Sequence, residues 1–340
     1  MNQTDHNRQN KIAVINDFSG FGRCSIAVSL PIISQLRIQC CAVPTSVFSN
    51  HTGFKEYFFE DYTHNMEEYI SNWKKLDLRF KGILSGFLGS RKQIEIVQNF
   101  IRDFRSDDTK VIIDPVMGDN GKPYPTYTDD MCMAMKDLVK YADILTPNLT
   151  EACILTDTPY TPETFVKKDY ETLLMKIAEY GAKKIVITGI DSGIFLTNYI
   201  YDTGKGIYTT RQKRVGHVRS GTGDVFSAII AADAVHDIDF RESVKRASSF
   251  VKRENPLKHS LPTAPSVFSS GRVSRFMESK TRALLSSVIP GVLKRSGLIT
   301  FAVSLSPKTM PVSSFNSLVA VVIRSASSLS MRPAGGLNRN

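Results

Sequence analysis

An α/β fold, with a mostly parallel central sheet and helices on both faces, is what the sequence predicts, and three observations carry that expectation. Short apolar runs recur between residues 11 and 253. Stretches of helical spacing alternate with them, as in chains that build parallel sheets. Polar and glycine-rich motifs stand at the ends of the runs, where open α/β sheets place their ligand sites.

The elements follow in order. KIAVI (11–15) is a short apolar strand, followed by a glycine-bearing turn and an apolar stretch with helical spacing through Leu36. QCCAVPTSV (39–47) reads as a second strand. GILSG (82–86) and KVIID (110–114) are short buried strands, each followed by a helical pattern. ADILTPN (142–148) and KKIVIT (183–188) repeat the theme, and 162–180 between them is helical, with Leu173, Leu174, Ile177 and Ala178 on one face. IFLTNYIYD (194–202) and KGIYTT (205–210) alternate as an antiparallel hairpin does. GTGDVFSAIIAADAV (221–235) is a glycine-opened helix, and a further helix starts near Phe240.

With 340 residues, 42% hydrophobic and 22% charged, the chain can bury a sizeable core and has the balance of an ordinary globular protein. Residues 1–10 are polar and are expected to be a flexible N-terminus without a secretory signal. No apolar run is long enough for a membrane span. Five scattered cysteines without a CxxC fit reduced thiols in the cytoplasm. The net charge of +10 suggests nucleic acid until it is located. Residues 1–253 hold 32 Lys+Arg against 31 Asp+Glu, whereas 254–340 hold 11 against 2. The basic excess is a property of the tail, so no nucleic-acid partner is expected, and no membrane. Residues 260–340 contain 18 serines and apolar runs without a stable period. The expected layout is therefore a domain over 11–253 and a serine-rich, basic, poorly ordered tail over 254–340. The text changes near Arg253–Glu254 as a shifted reading frame or gene junction would change it. A solvated native appendage is the alternative.

RSGTGDVFSA (219–228) is the strongest local signal. A Gly221–Thr222–Gly223 turn opening a helix aims backbone N–H groups outward and adds the positive end of the helix dipole. That makes an anion hole for a migrating phosphoryl group. Asp224 beside it can accept a hydroxyl proton as oxygen attacks phosphorus. It can equally be an acid that merely favours a first helical turn. DPVMGDNG (114–121) offers Asp114 and Asp119 to Mg²⁺ or water, or is simply a turn built from turn-forming residues. TPNLTEA (146–152) offers Thr146, Asn148 and Glu151, the last able to hold Mg²⁺ through water; the same spacing is also a helix capping box. VITG (186–189) ends a strand with Thr188 and Gly189, suited to a nucleotide phosphate.

INDFSGFGRCS (15–25) is not a GxGxxG fingerprint, and GxxxxGK[ST] occurs nowhere, so the chain does not read as a P-loop enzyme. Asn16, Asp17 and Ser19 at that strand end face where a small polar substrate would lie. VFSNHTG (47–53) adds Phe48, Asn50, His51 and Thr52, an aromatic with donors and acceptors that suits a flat heteroaromatic ring carrying hydroxyls. His51 can equally be a structural loop residue.

FSNHTG (48–53), LSGFLGS (84–90), DPVMGD (114–119), TPNLTEA (146–152) and GTGD (221–224), in this order, resemble the pyridoxal kinase family of the ribokinase-like superfamily over roughly residues 11–253. INDFSGFGRCS resembles its pyridoxamine-kinase branch. The resemblance implies a ribokinase-like three-layer sandwich and transfer of the ATP γ-phosphate to the 5′-hydroxymethyl of pyridoxal, pyridoxine or pyridoxamine. It implies Asp224 as base and Gly221–Gly223 as anion hole. It puts Asp114 and Glu151 in the Mg²⁺ and phosphate network, with Asp119 near. Thr146, Asn148, Thr188 and Gly189 become nucleotide contacts, and Tyr124 becomes part of a lid over the phosphates. Asp17, Ser19, Thr45 and the Phe48–Asn50–His51 loop become the vitamin pocket. Many members of that family use a monovalent cation beside Mg²⁺ and are homodimers. The C-terminus departs from the family pattern, which continues the last helix and covers the adenine side. That departure keeps a catalytically impaired remnant in view, beside a hydroxymethylpyrimidine kinase of the same fold.

Overall fold

Strand-forming apolar runs dictate the centre of the molecule, and the computed structural model describes residues 5–214 and 220–253. In chain order the elements are β1 (Lys11–Phe21), α1 (Ser25–Gln35), β2 (Gln39–Asn50), β3 (Phe59–Asp61), α2 (Thr63–Lys75), β4 (Gly82–Ser85) and α3 (Arg91–Phe104). They continue with β5 (Lys110–Ile113), β6 (Gly118–Asp119), β7 (Lys122–Pro123), α4 (Asp129–Leu138), β8 (Ile144–Leu145), α5 (Leu149–Leu155) and α6 (Lys167–Ala178). β9 (Lys184–Ser192), β10 (Phe195–Asp202), β11 (Gly206–Lys213), α7 (Thr222–Val235) and α8 (Phe240–Arg253) complete the fold.

Nine strands form one sheet in the order β11-β10-β9-β8-β5-β4-β1-β2-β3. β2, β1, β4, β5, β8 and β9 run parallel, while β3, β10 and β11 are antiparallel additions at the two edges. Alternation along the strands splits the core in two. Ala13, Ile15, Ile83, Val111, Ile113, Ile185 and Ile187 face one side, packed with residues of α2, α3, α4, α5 and α6. Ile12, Val14, Leu84, Ile112, Ile144 and Val186 face the other, under α1, α7 and α8. Successive side chains on a strand point to opposite faces, so both faces must be covered, and the three-layer sandwich follows.

β1 is longer than its apolar run implies. It continues to Phe21 because Phe18, Ser19 and Phe21 pair with Val47, Phe48 and Asn50 of β2, forming a ribbon beyond the end of β4. The turn expected after Ile15 is therefore strand. β2 lies on one side of β1 and β4 on the other, so the chain reverses its direction of sheet growth at β1. Such a switch point leaves a crevice at the carboxyl ends of the strands. The expected tail, 254–340, lies outside the described residues, as do residues 1–4 of the expected flexible N-terminus. Among the described residues no helix is long and apolar enough to cross a membrane, and all five cysteines are free.

Candidate functional site

α7 begins at the crevice. Gly221 caps it in the left-handed region, φ 79°, and a Cβ there would stand 1.7 Å from the Arg23 carbonyl oxygen. Only glycine lets the helix start so close to the loop after β1. The first turn of a helix leaves N–H groups without intrahelical acceptors, and here they open beside Asp224. Asn16, at the end of the shared part of β1 and β4, donates its Nδ2 hydrogen to Asp224 Oδ1 at 3.1 Å. Asn16 Oδ1 accepts from the amides of Asp17 (2.9 Å) and Phe87 (2.8 Å). Gly86 makes room for this side chain, since a Cβ there would lie 2.5 Å from Asn16 Nδ2. Burial pushes the Asp224 carboxyl up to about 6; Asp17 adds to the rise, while the Ser25 amide and Asn16 oppose it. Ser25 opens α1 with φ 55°, a conformation that costs a non-glycine residue about 1–3 kcal/mol and tends to be kept where a site needs it.

Asp114 follows β5 directly and is 8% exposed. Its Oδ2 lies 3.9 Å from where a Cβ of Gly223 would be, which sets it against the α7 N-terminus. Burial, then the Asp224 charge, pushes Asp114 up to about 7, with the Ser227 and Thr146 hydroxyls acting in the opposite sense. Glu151 is buried and raised well above the usual carboxylate range by burial and by Asp114. Its Oε2 accepts from Asn148 N (2.8 Å) and its Oε1 from Met117 N (3.3 Å). Asn148 Oδ1 in turn accepts from Glu151 N at 2.9 Å, so the capping box is real. Asn148 Nδ2 donates to Gly118 O (2.9 Å), tying the β6–β7 hairpin to α5. Asn120 and Gly121, both at positive φ, make that hairpin's two-residue turn. Asp119, exposed beside the turn, accepts from Asn120 N at 2.8 Å. Tyr124 leaves the hairpin 39% exposed; burial, then Glu151, Asp119, Asp114 and Asp224, push its phenol up to about 12.

The other wall is the β1–β2 ribbon. Asp17 is buried, its Oδ2 accepts from Ser19 Oγ at 3.1 Å, and burial raises its carboxyl. His51 Nδ1 accepts from Gly53 N (2.9 Å), and its backbone N–H donates to Phe21 O (2.9 Å), closing the loop onto β1. Asn50 Nδ2 donates to Glu56 O (2.9 Å) and organises the same loop. The Phe48 ring packs among Tyr57, Phe59 and Phe87. Thr45 is fully buried, and its hydroxyl donates at 3.0 Å to the carbonyl oxygen of Phe87, whose N–H also bonds Asn16. At the far end, Thr188 N donates to Pro147 O (2.9 Å), placing Thr188 and Gly189 beside Asn148. Thr146, 4% exposed, stands below them.

Ser25 and Ser227 join the cluster without having been singled out from the sequence, and Asn16 joins it as the partner of Asp224. Asn16 was legible as a polar strand-end residue, but its partner 208 positions away was not. Among the described residues, no basic group is a cause of the shifts at Asp114, Glu151 or Asp224. A cation would offset the repulsion between these buried carboxyls, so the donor set fits Mg²⁺. Among the described residues there is no ready-made cage of three His, Cys, Asp or Glu side chains. Mg²⁺ held by one or two carboxylates plus phosphate oxygens and water requires none.

The sequence model of the phosphomethylpyrimidine kinase family matches residues 28–263. The fold superposes with TM-score 0.71 on the crystal structure of a putative phosphomethylpyrimidine kinase from Bacteroides thetaiotaomicron, 34% identical, covering 74% of this chain and 87% of that one. A second crystal form of that protein, 35% identical over the aligned part and covering 72% and 86% with TM-score 0.69, contains pyridoxal. Pyridoxal kinase from Lactobacillus plantarum is 26% identical with TM-score 0.66, covering 72% and 87%. Pyridoxal kinase from Arabidopsis thaliana is 30% identical over 195 residues, 54% of this chain and 60% of that protein. The chain likewise spans 60% of the length of a pyridoxal-kinase relative in Schizosaccharomyces pombe. A match over most of the domain, with the ribokinase-like sheet order and the glycine-opened α7 in place, makes this chain a member of the phosphomethylpyrimidine kinase family.

Proposed function

We propose that the chain is an ATP-dependent kinase that phosphorylates the 5′-hydroxymethyl group of a vitamin B6 vitamer (pyridoxal, pyridoxine or pyridoxamine), with Asp224 as general base. One observation carries this reading. The Asp224 carboxyl stands at the α7 N-terminus in the switch-point crevice, hydrogen-bonded by Asn16 and raised to about 6. A base that titrates near working pH is ionised there yet still basic enough to take a proton. The pyridoxal in the Bacteroides relative supports a vitamer over other alcohols.

The substrate hydroxyl donates to Asp224. Its oxygen attacks the γ-phosphorus as the proton passes to the carboxylate, and the bond to the β-phosphate oxygen breaks, releasing ADP. The dipole and first-turn amides of α7 take up the charge on the transferring group. Mg²⁺, held by Asp114 and through water by Glu151, would neutralise phosphate charge. Thr146, Thr188 and Gly189 line the nucleotide side, with Asn148 holding them in place and Tyr124 and Asp119 overhead on the hairpin. Asp17, Ser19, Phe48 and the Asn50–His51 loop line the vitamer side.

A second reading, a hydroxymethylpyrimidine kinase, is favoured by the description of the matching family. Phosphorylation assays with pyridoxal, pyridoxamine and hydroxymethylpyrimidine, with Asp224→Asn alongside, separate the two. Preference for the pyrimidine rejects the vitamer assignment. Equal rates for wild type and Asp224→Asn remove the base. No turnover of any of the three by the full chain supports the impaired remnant.

A further inference from the structure

Where β9 meets β10 the ladder slips: Thr197 pairs with Ile190 and Tyr199 with Ile187, so Thr188 and Gly189 together oppose Asn198 alone. Such a bulge leaves backbone groups without strand partners. Gly189, exposed and at φ 70°, donates its N–H to Asn198 Oδ1 at 3.0 Å. Asn198 itself is only 6% exposed. Its Nδ2 donates to Ser248 Oγ on α8 at 2.8 Å and reaches Thr210 Oγ1 on β11 at 3.4 Å. Ser248 Oγ in turn donates to Val244 O at 2.7 Å. One buried amide thus links the bulge, the sheet edge and α8.

Resting on the nucleotide reading of Thr188 and Gly189, we propose that Asn198 is a positioning residue that sets the phosphate-facing bulge of β9 and couples it to α8. Burial of a polar side chain is costly unless its groups are satisfied. Asn198 is satisfied only while the bulge and Ser248 both hold their places. The other side of the bulge is fixed through Thr188 N to Pro147 O, so Asn198 supplies the restraint on the free side. Ser248 extends that restraint to α8. Asn198 makes no contact with the reacting groups and acts through Gly189 alone.

The test uses the full chain as Asn198→Ala and Ser248→Ala, with two readouts. In steady-state kinetics, Asn198→Ala is expected to raise KM for ATP about tenfold, the usual scale for losing one such hydrogen bond. KM for pyridoxal stays within about twofold, and Ser248→Ala gives a smaller change in the same direction. In amide hydrogen exchange without ligand, residues 187–190 open faster in both variants while β5 does not change. A purely structural role would lower Tm and leave the two KM values in their wild-type ratio. That result, or unchanged exchange at 187–190, overturns the proposal. If the wild type neither turns over nor binds ATP, the kinase reading fails, and the exchange result still decides whether Asn198 holds the bulge.

Discussion

Asn16 and Asp224, 208 positions apart, meet at 3.1 Å where β1 ends and α7 begins. The bond holds Oδ1 of the carboxylate, and the Ser25 amide stands on the same group from the loop that opens α1. Because Asn16 donates to the charged form, it holds the carboxyl lower than burial alone would. Asn16→Ala should therefore move the acid limb of the kcat/KM profile to higher pH, by about one unit for a lost bond of this kind. It should also lower kcat, since Asn16 orients the base through Asp17 N and Phe87 N. An unmoved limb would mean that another group sets it.

The pH profile of the wild type has a definite sign. A general base works only when ionised. With Asp224 at about 6, activity should be low in acid, rise through that pH and level off above it. Asp224→Asn should lower kcat by about 10²–10⁴, with ATP and vitamer affinities nearly unchanged. Rapid-quench measurements of the phosphoryl-transfer step, set beside equilibrium binding, check this. A large loss of vitamer affinity instead would recast Asp224 as a binding residue.

The sheet was legible because its strands are buried on both faces and therefore read as unbroken apolar runs. The start of α7 was legible because a helix N-terminus that must approach Arg23 so closely announces itself as glycine. Local pattern failed where tertiary pairing decides. β1 looked finished at Ile15, yet its polar continuation is strand because β2 supplies the ladder. The resemblance puts Thr45 in the pocket, and the bond from its hydroxyl to Phe87 O is one that no local spacing could reveal. The Asn148–Glu151 pair was written in its spacing, and the link from Asn148 to Gly118 was not. Asn198 sits in an alternating hairpin strand whose pattern hides the bulge opposite.

Asp114 should cost stability near neutral pH. Its folded carboxyl is raised to about 7 from an ordinary value near 3.8, so between those values the folded chain holds more proton than the unfolded one. Stability therefore falls as pH rises through that window. Asp114→Asn removes the buried charge and should raise Tm at pH 7.5 by several degrees, on the scale of about 1–3 kcal/mol, with little change at pH 4.5. Mg²⁺ should raise the wild-type Tm more at pH 7.5 than at pH 5.5, and Asp114→Asn should blunt that response. Melting curves at the three pH values, with and without Mg²⁺, measure all of this. A variant less stable than wild type at pH 7.5 would show Asp114 to be favourably solvated.

The two glycines that open α7 should respond differently to the same added methyl. At Gly221 a Cβ would meet the Arg23 carbonyl oxygen at 1.7 Å, in a left-handed backbone that L side chains resist. Relief requires the loop after β1 to move away from α7, and with it the Asn16–Asp224 contact. Gly221→Ala should cost about 2–4 kcal/mol and most of the activity. At Gly223 the nearest atom, Asp114 Oδ2, would lie 3.9 Å away, an ordinary contact. Gly223→Ala, inside the first turn of a helix, should change stability by about 1 kcal/mol at most, in the stabilising direction. Its effect should instead appear in kcat, because the methyl projects toward the space between Asp114 and the transferring phosphate. Urea melts paired with kcat for the two variants separate a helix start that must be glycine for backbone reasons from one that is glycine to leave room for a substrate. Equal destabilisation by both would mean that the approach of Arg23 to α7 does not set the geometry of the crevice.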